Sequence, residues 1–494
     1  MNRLEAIAQA QSLVDEGVFE EVMAQWVSIP STAQEPEHYP DLVRYLQEAI
    51  VPAVESLGCE WEIHDNPAEG GGPFLIAGRQ ESEDLPTILL YGHGDTVRGL
   101  EGDWEEDRDP WTTDLDGDRL YGRGTADNKG QHAIDLLALM TVLEARGGQL
   151  GFNLRVLLEM SEEVGSRGLR EFAEEHKEKL TADVLIASDG PRLKPDRPTI
   201  FLGSRGTATF KLSINAREGG HHSGNWGGLL SNPGTQLMHA IGTLVDRRGA
   251  ILLDALKPPP LSNAMRNAIA DCEVDGGPDA PEIDPDWGEP GMTPWERVFG
   301  WNTFEILSFT TGNPSNPVNA VPPNATAYCQ IRFIAGSEHL GFEQAIRDRL
   351  SEEGFDMVHV EPTRMAMAAT RTDLEDPWVE RVVSSLAETL RAPPAVLPNL
   401  GGSIPNDVFT DLLGMPTIWV PHSYAGCSQH APNEHLLLSI AREGLGMMAG
   451  LYWDIGDAAF EDEDLDDDDE ADEDEANGDE ANGDEANGDK ADSN

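Results

Sequence analysis

The stretch Tyr91-Gly92-His93-Gly94-Asp95-Thr96-Val97 sets an imidazole and a carboxylate two residues apart, directly after the aliphatic run Thr87-Ile88-Leu89-Leu90. Such a run ending in glycines reads as a buried strand opening into a loop. On extended backbone, residues two apart share a face, so His93 is a candidate metal ligand with Asp95 steadying it from behind. A lone His-x-Asp is a weak signal, and four further segments supply partners. Residues 120–130 are glycine-rich and lead through Asp127 into a helix; the glycines lack the spacing of a phosphate-binding loop, and an acid sits at the turn instead of a Lys-Ser/Thr pair. Glu162 and Glu163 come soon after Val156-Leu157-Leu158, so at least one lies at a sheet edge. Asp189 falls just past a second buried run. His430 occupies a loop ahead of a helix, and Cys427 three residues earlier lacks the second pair a zinc motif needs. A single acid after a strand is ordinary. His93, Asp127, Glu163, Asp189 and His430, all at strand ends, fit a site of imidazole and carboxylate metal donors.

Periodicity gives the frame that must position them. Helical patterns occupy residues 3–28, 40–57, 129–146 and 166–180, and strand-like runs 59–64, 74–77, 87–90, 152–159 and 183–187. Strands alternating with helices predict an α/β unit with a mixed, mostly parallel sheet and helices on both faces. The pattern changes near Gly203: strand 207–214, helix 233–247, strands 304–310 and 325–333, helix 341–353 and strand 357–360 follow the β-α-β-β-α-β order of an α+β ferredoxin-like unit. The expected organisation is a catalytic domain of residues 1–203 and 370–460, interrupted by an inserted lid or dimerisation domain, 204–369. Within the insert, residues 257–294 read as a surface excursion rich in Pro, Gly and Asp.

In order, these segments resemble the dinuclear metallopeptidase family that includes carnosinase-type cytosolic dipeptidases, aminoacylase and succinyl-diaminopimelate desuccinylase, over nearly the whole chain up to about Trp453. The resemblance implies two divalent cations, expected to be Zn with Mn or Co as alternatives. His93 and Asp189 would hold one, Glu163 and His430 the other, with Asp127 bridging. It also implies that Asp95 orients His93 and that Glu162 is the general base, taking a proton from water and delivering it to the leaving amine. Gly220-His221-His222-Ser223-Gly224 resembles a segment whose His stabilises the oxyanion, often in the partner subunit's site; this assigns His222 and implies a homodimer through the inserted domain. Asn319, Arg332, Gly402 and Ser403 match substrate-binding positions, Arg332 suiting a carboxylate, although Phe333-Ile334-Ala335 departs from the usual Val-Pro after that Arg. Asp189 stands where the dipeptidases and aminopeptidases of that family generally carry Asp and its deacylases and carboxypeptidases Glu. The expected activity is hydrolysis of the amide bond of dipeptides or short peptides, with N-acyl-amino-acid deacylase or carboxypeptidase as the alternative.

Composition bounds the partners. The 494 residues hold 90 Asp+Glu against 34 Lys+Arg, a formal charge of −56. Residues 461–494, with three Asp-Glu-Ala-Asn-Gly repeats, carry −18 of it, so the body before them is itself strongly acidic. Nucleic acid and anionic membrane surfaces are excluded as partners by repulsion. The tail is expected to be disordered for want of apolar surface; a non-catalytic role in binding basic partners is the remaining alternative. The body's charge suits a salty cytoplasm in which counterions screen repulsion. Four scattered Cys, no apolar signal-like N-terminus and no run of 18 apolar residues lead to a cytoplasmic expectation.

Overall fold

The computed structural model describes residues 1–270, 272–273, 281–362 and 367–458, so the acidic repeats lie outside the described residues. The central sheet has eight strands: β1 (Glu60–His64), β2 (Phe74–Arg79), β3 (Thr87–His93), β4 (Asn153–Glu159), β5 (Val184–Ala187), β6 (Thr199–Phe201), and later β11 (Ala395–Leu397) and β12 (Thr417–Trp419). Their spatial order is β1-β2-β4-β3-β5-β12-β6-β11. The four middle strands, β4, β3, β5 and β12, run parallel, while β1 and β2 join antiparallel on one side and β6 meets β12 antiparallel on the other. The mixed, mostly parallel sheet expected from alternation is therefore present.

Both faces are covered, which is why β3 runs through consecutive buried residues from Ile88 to Tyr91 rather than alternating apolar with polar. Ile88 and Leu90 point into one core, shared with helices α1 (Arg3–Asp15), α2 (Lys129–Ala145), α5 (Pro377–Leu390) and α6 (Leu438–Ala458); Leu89 and Tyr91 point into a second, with Phe172, Phe201, Phe409 and Trp419. α2 is buried almost all round, so its helical pattern lacks the polar stripe of a surface helix.

Between β6 and β11 the chain builds a separate antiparallel sheet of β7 (Gly206–Asn215), β8 (Thr303–Thr311), β9 (Asn324–Phe333) and β10 (His359–Pro362), in the order β8-β9-β7-β10. Helices α3 (Pro233–Ile241) and α4 (Phe342–Glu352) close its own core around Leu212, Ile331 and Ile346. The chain enters and leaves at one place, where Gly203–Ser204 pairs antiparallel with Thr370–Arg371. A side chain at Gly203 would lie 2.1 Å from the Thr370 carbonyl, so the two crossings can touch only with Gly there.

Three expectations need correction. Residues 3–28 form two helices, broken at Gly17 with φ +80°. Residues 40–57 are not one α-helix: Tyr39–Tyr45 and Val51–Ser56 are joined by a π turn at Leu46–Ile50, next to Pro52, whose missing N–H cannot continue the ladder. The stretch 257–294 is not merely a surface excursion, since helix Asn263–Ile269 puts Ile269 into the second core with Cys272 and Phe299. No helix among the described residues is long and apolar enough to cross a membrane.

Candidate metal centre

The parallel strands end on one rim, and the loops leaving that rim carry the chemistry. His93 is the last residue of β3 and is fully buried. Its Nδ1 donates to the main-chain oxygen of Asp95 at 3.0 Å, which leaves Nε2 as the nitrogen facing the site. Nε2 lies 3.1 Å from Asp127 Oδ1 and 3.8 Å from Asp189 Oδ2. On the other side, His430 Nε2 lies 3.0 Å from Asp127 Oδ2 and 3.1 Å from Glu163 Oε2. Asp127 thus offers one oxygen to each imidazole. The donor atoms of His93, Asp127 and Asp189 all lie within 4.8 Å of one another, and so do those of Asp127, Glu163 and His430.

The Asp95 backbone carbonyl takes the direct hydrogen bond from His93, beside the carboxylate expected to orient the ring. The carboxylate sits 3.5 Å from His93 Nδ1 and accepts the amides of Glu162 (3.1 Å) and Glu163 (3.0 Å). One residue therefore ties the end of β3 to the loop after β4. Glu162 belongs to neither donor triad.

The charges match a cation site. Burial, then repulsion from its acidic neighbours, pushes the Glu162 carboxyl well above its ordinary value. Burial and Asp127 push Glu163 up to about 7, and burial and Asp127 push Asp189 up to about 6. Burial also raises the Asp127 carboxyl, but the hydrogen bonds from His430 and His93 outweigh it and hold it low. For His430, hydrogen bonds to Asp127 and Glu163 raise the imidazole to about 11. Five acids crowd two imidazoles, and Glu163 Oε1 is buried without a partner. Divalent cations would neutralise this excess and engage that oxygen, so the residues present fit a metal pair.

The sequence model of "Peptidase family M20/M25/M40" matches residues 89–454, which span the whole cluster. The chain belongs to that family. It is 27% identical over 403 residues to a cysteinylglycine-S-conjugate dipeptidase of Corynebacterium striatum, covering 79% of this chain and 84% of that one. It is 30% identical over 274 residues to the Beta-Ala-His dipeptidase of Mus musculus, covering 52% of this chain and about half, 54%, of that one. Its fold is similar to that of an M20 family metallo-carboxypeptidase from Sulfolobus solfataricus, with TM-score 0.71 at 22% identity, over 89% of this chain and 99% of that one.

The other positions picked out in this M20 chain form two groups apart from the carboxylate cluster. His222 is exposed; its Nδ1 accepts the Gly224 amide, and the next amide, Ser223, donates to Asn319 O at 2.8 Å. Arg332 Nη1 donates to Ser403 Oγ at 2.9 Å, while Gly402 O accepts the Arg205 amide at 3.1 Å, so β9 and the 399–405 loop meet at the crossing between the sheets.

Sequence reasoning missed the residues that hold the candidate donors in place. Buried Glu434 accepts the amides of Gly124, Ala126 and Asp127, each at 3.0 Å, and pairs with the equally buried Arg123 at 2.6 Å. Lys129 Nζ donates to the carbonyls of Trp26 and Ile29, at 3.0 and 2.8 Å, pinning the N-terminal helices to the start of α2. In sequence each looks like a surface charge; their partners lie roughly 100 to 300 residues away, so no spacing signals them.

Proposed function

We propose that this M20 chain is a metal-dependent dipeptidase that hydrolyses the amide bond of dipeptides or short peptides. One observation carries it: a carboxylate, Asp127, shared by two converging donor triads, with an unligated carboxylate, Glu162, on the neighbouring loop. His93, Asp127 and Asp189 would hold one divalent cation, and Asp127, Glu163 and His430 the other, with Zn the expected ion. Such a pair acidifies water and polarises the scissile carbonyl.

The protein's own groups do the rest. Glu162, its amide anchored on Asp95, takes the proton released by the attacking water and passes it to the leaving amine as the C–N bond breaks. Arg332, donating to Ser403, presents its guanidinium to the substrate carboxylate. His222 stands exposed on the inserted sheet's loop and serves as oxyanion donor in a homodimer, reaching the partner subunit's site. The names of the dipeptidase relatives and Asp at position 189 support a free dipeptide as substrate over an N-acyl amino acid. We place the enzyme in the cytoplasm, and the tail outside catalysis.

The test is elemental analysis together with turnover of a panel of free dipeptides against N-acetyl amino acids and C-terminally extended peptides. About two divalent ions per chain and dipeptide turnover are expected. Turnover confined to N-acetyl substrates would assign a deacylase instead, and a metal-free chain would end the proposal.

A further inference from the structure

Two side-chain amides at the N-terminal end of α2, its N-cap Asn128 and Gln131 in the first turn, grip the carbonyls on either side of Asp189. Asn128 Nδ2 donates to Ser188 O at 2.7 Å, and Gln131 Nε2 to Gly190 O at 3.3 Å. The same Gln131 nitrogen donates to Ala126 O at 2.9 Å, the carbonyl just before Asp127. Gln131 Oε1 accepts the His422 amide at 2.8 Å, on the segment that leads from β12 toward His430. Asn128 Oδ1 accepts from His132 Nδ1 at 2.9 Å and lies 3.4 Å from the His93 amide. Both side chains are fully buried.

The one side-chain amide of Gln131 is thus bonded to three separate segments, and a buried amide is tolerated only when so bonded. Glu163 is held without Gln131, and the His430 loop has a second tie besides the His422 contact with Gln131. The Glu163 amide and that of Glu162 rest on Asp95, and the His430 loop is tied to the Asp127 loop through Glu434. Slack in Gln131 would therefore move Asp189 relative to Asp127 while leaving Glu163 in place. Metal–ligand distances tolerate only about ±0.2 Å, so small slack is enough.

We propose that Asn128 and Gln131 clamp the Asp127 and Asp189 loops together, and that Gln131 is a positioning residue setting the affinity of the His93–Asp127–Asp189 half of the site in preference to the other half. This rests on the two-metal reading above. The role differs from that of a ligand, because Gln131 reaches the site only through backbone carbonyls.

The experiment titrates metal-free wild type, Gln131→Met, Gln131→Asn and Thr141→Val with Zn²⁺ against a chromophoric chelator, and records the melting temperature of each metal-free protein. Thr141 is the control, a hydroxyl bonded to Leu137 O on the same helix. Wild type should bind two equivalents. In Gln131→Met one equivalent should weaken by about 10–100-fold and the other should not; the shorter amide of Gln131→Asn should weaken the same equivalent less. Asp189→Asn should abolish that equivalent, and adding Gln131→Met to it should leave the remaining one unchanged. Wild-type affinity at both equivalents in Gln131→Met, equal weakening of both, or the same loss in Thr141→Val would overturn the clamp alone. A wild type that binds no Zn²⁺ would overturn the two-metal reading, and the clamp with it.

Discussion

Glu162 and Glu163 are adjacent in sequence, share the same anchor on Asp95, and yet face different tasks, because only Glu163 joins a donor triad. Replacing Glu162 by Gln keeps the shape and removes the basic oxygen. Turnover should fall by roughly 100-fold or more, the usual worth of a general base, while metal content stays at the wild-type level; turnover near normal would assign the proton transfer elsewhere. Glu434 acts at one remove. Truncation to Ala strips three amides of their acceptor and leaves Arg123 buried without a counter-charge. Breaking a buried pair from one side costs about 3–5 kcal/mol, so urea unfolding should show a loss of that order. The double variant with Arg123→Met should recover part of it. If Glu434→Ala costs no more than a surface substitution, the Arg123 pair is not the support described here. Of these residues, His93, Asp127, Glu163, Asp189 and His430 were legible as types at strand ends, whereas Glu434 was not, since its partners are set only by tertiary contact.

At the scale of elements, α2 does two jobs. Its first turn organises the candidate metal cluster, and its body runs through the core, where Asp135 is fully buried with Tyr452 donating to it at 3.2 Å. Burial raises the Asp135 carboxyl from 3.8 to about 7. Below the unfolded value both states hold the proton and Asp135 carries no penalty. Between the two values only the folded state holds it, so stability falls as pH rises through that window, and the full penalty persists above about 7. Asp135→Asn does not titrate. Its stability relative to wild type should improve between about pH 4 and 7 and level off beyond, as read by denaturant unfolding across pH; a difference that stays constant over the window would show that Asp135 is ionised in the fold throughout. The periodicity of α2 was readable, but the sheet order was not, because β4 lies between β2 and β3 only after a long crossover.

For the whole molecule, two properties follow from surface and shape. The charge of −56 makes self-repulsion a large term, and the screening length drops from about 10 Å at 0.1 M salt to about 3 Å at 1 M. Melting temperature should therefore rise as KCl is increased over that range; a flat or falling profile would remove the link between the acidic body and salt. The inserted sheet has an edge, β8, that pairs with no other described strand on its outer side, and Ile306, Leu307 and Phe309 are 41–56% exposed along it. Apolar edge strands invite pairing with another chain, and here a second copy would cover them. Light scattering should give about twice the chain mass of 53.8 kDa, and Ile306→Glu with Phe309→Glu should return the single-chain mass. A wild type that is monomeric at working concentration would remove the dimer and, with it, the role given to His222.

Sequence alone determined the fold class and the types of the candidate ligands, because a buried parallel sheet demands continuous apolar runs and a metal site would demand His and carboxylates just past them, and both leave local patterns. The first stretch, Thr87 to Val97, shows both at once. Tertiary structure decided what depends on distance through space. It put Asp127 between two imidazoles, gave the Asp95 carbonyl a share in bracing His93 beside the carboxylate, and enlisted Asn128, Gln131 and Glu434 as supports. Those contacts join segments as much as 311 residues apart, and hydrogen bonds of that range have no period for a sequence to display.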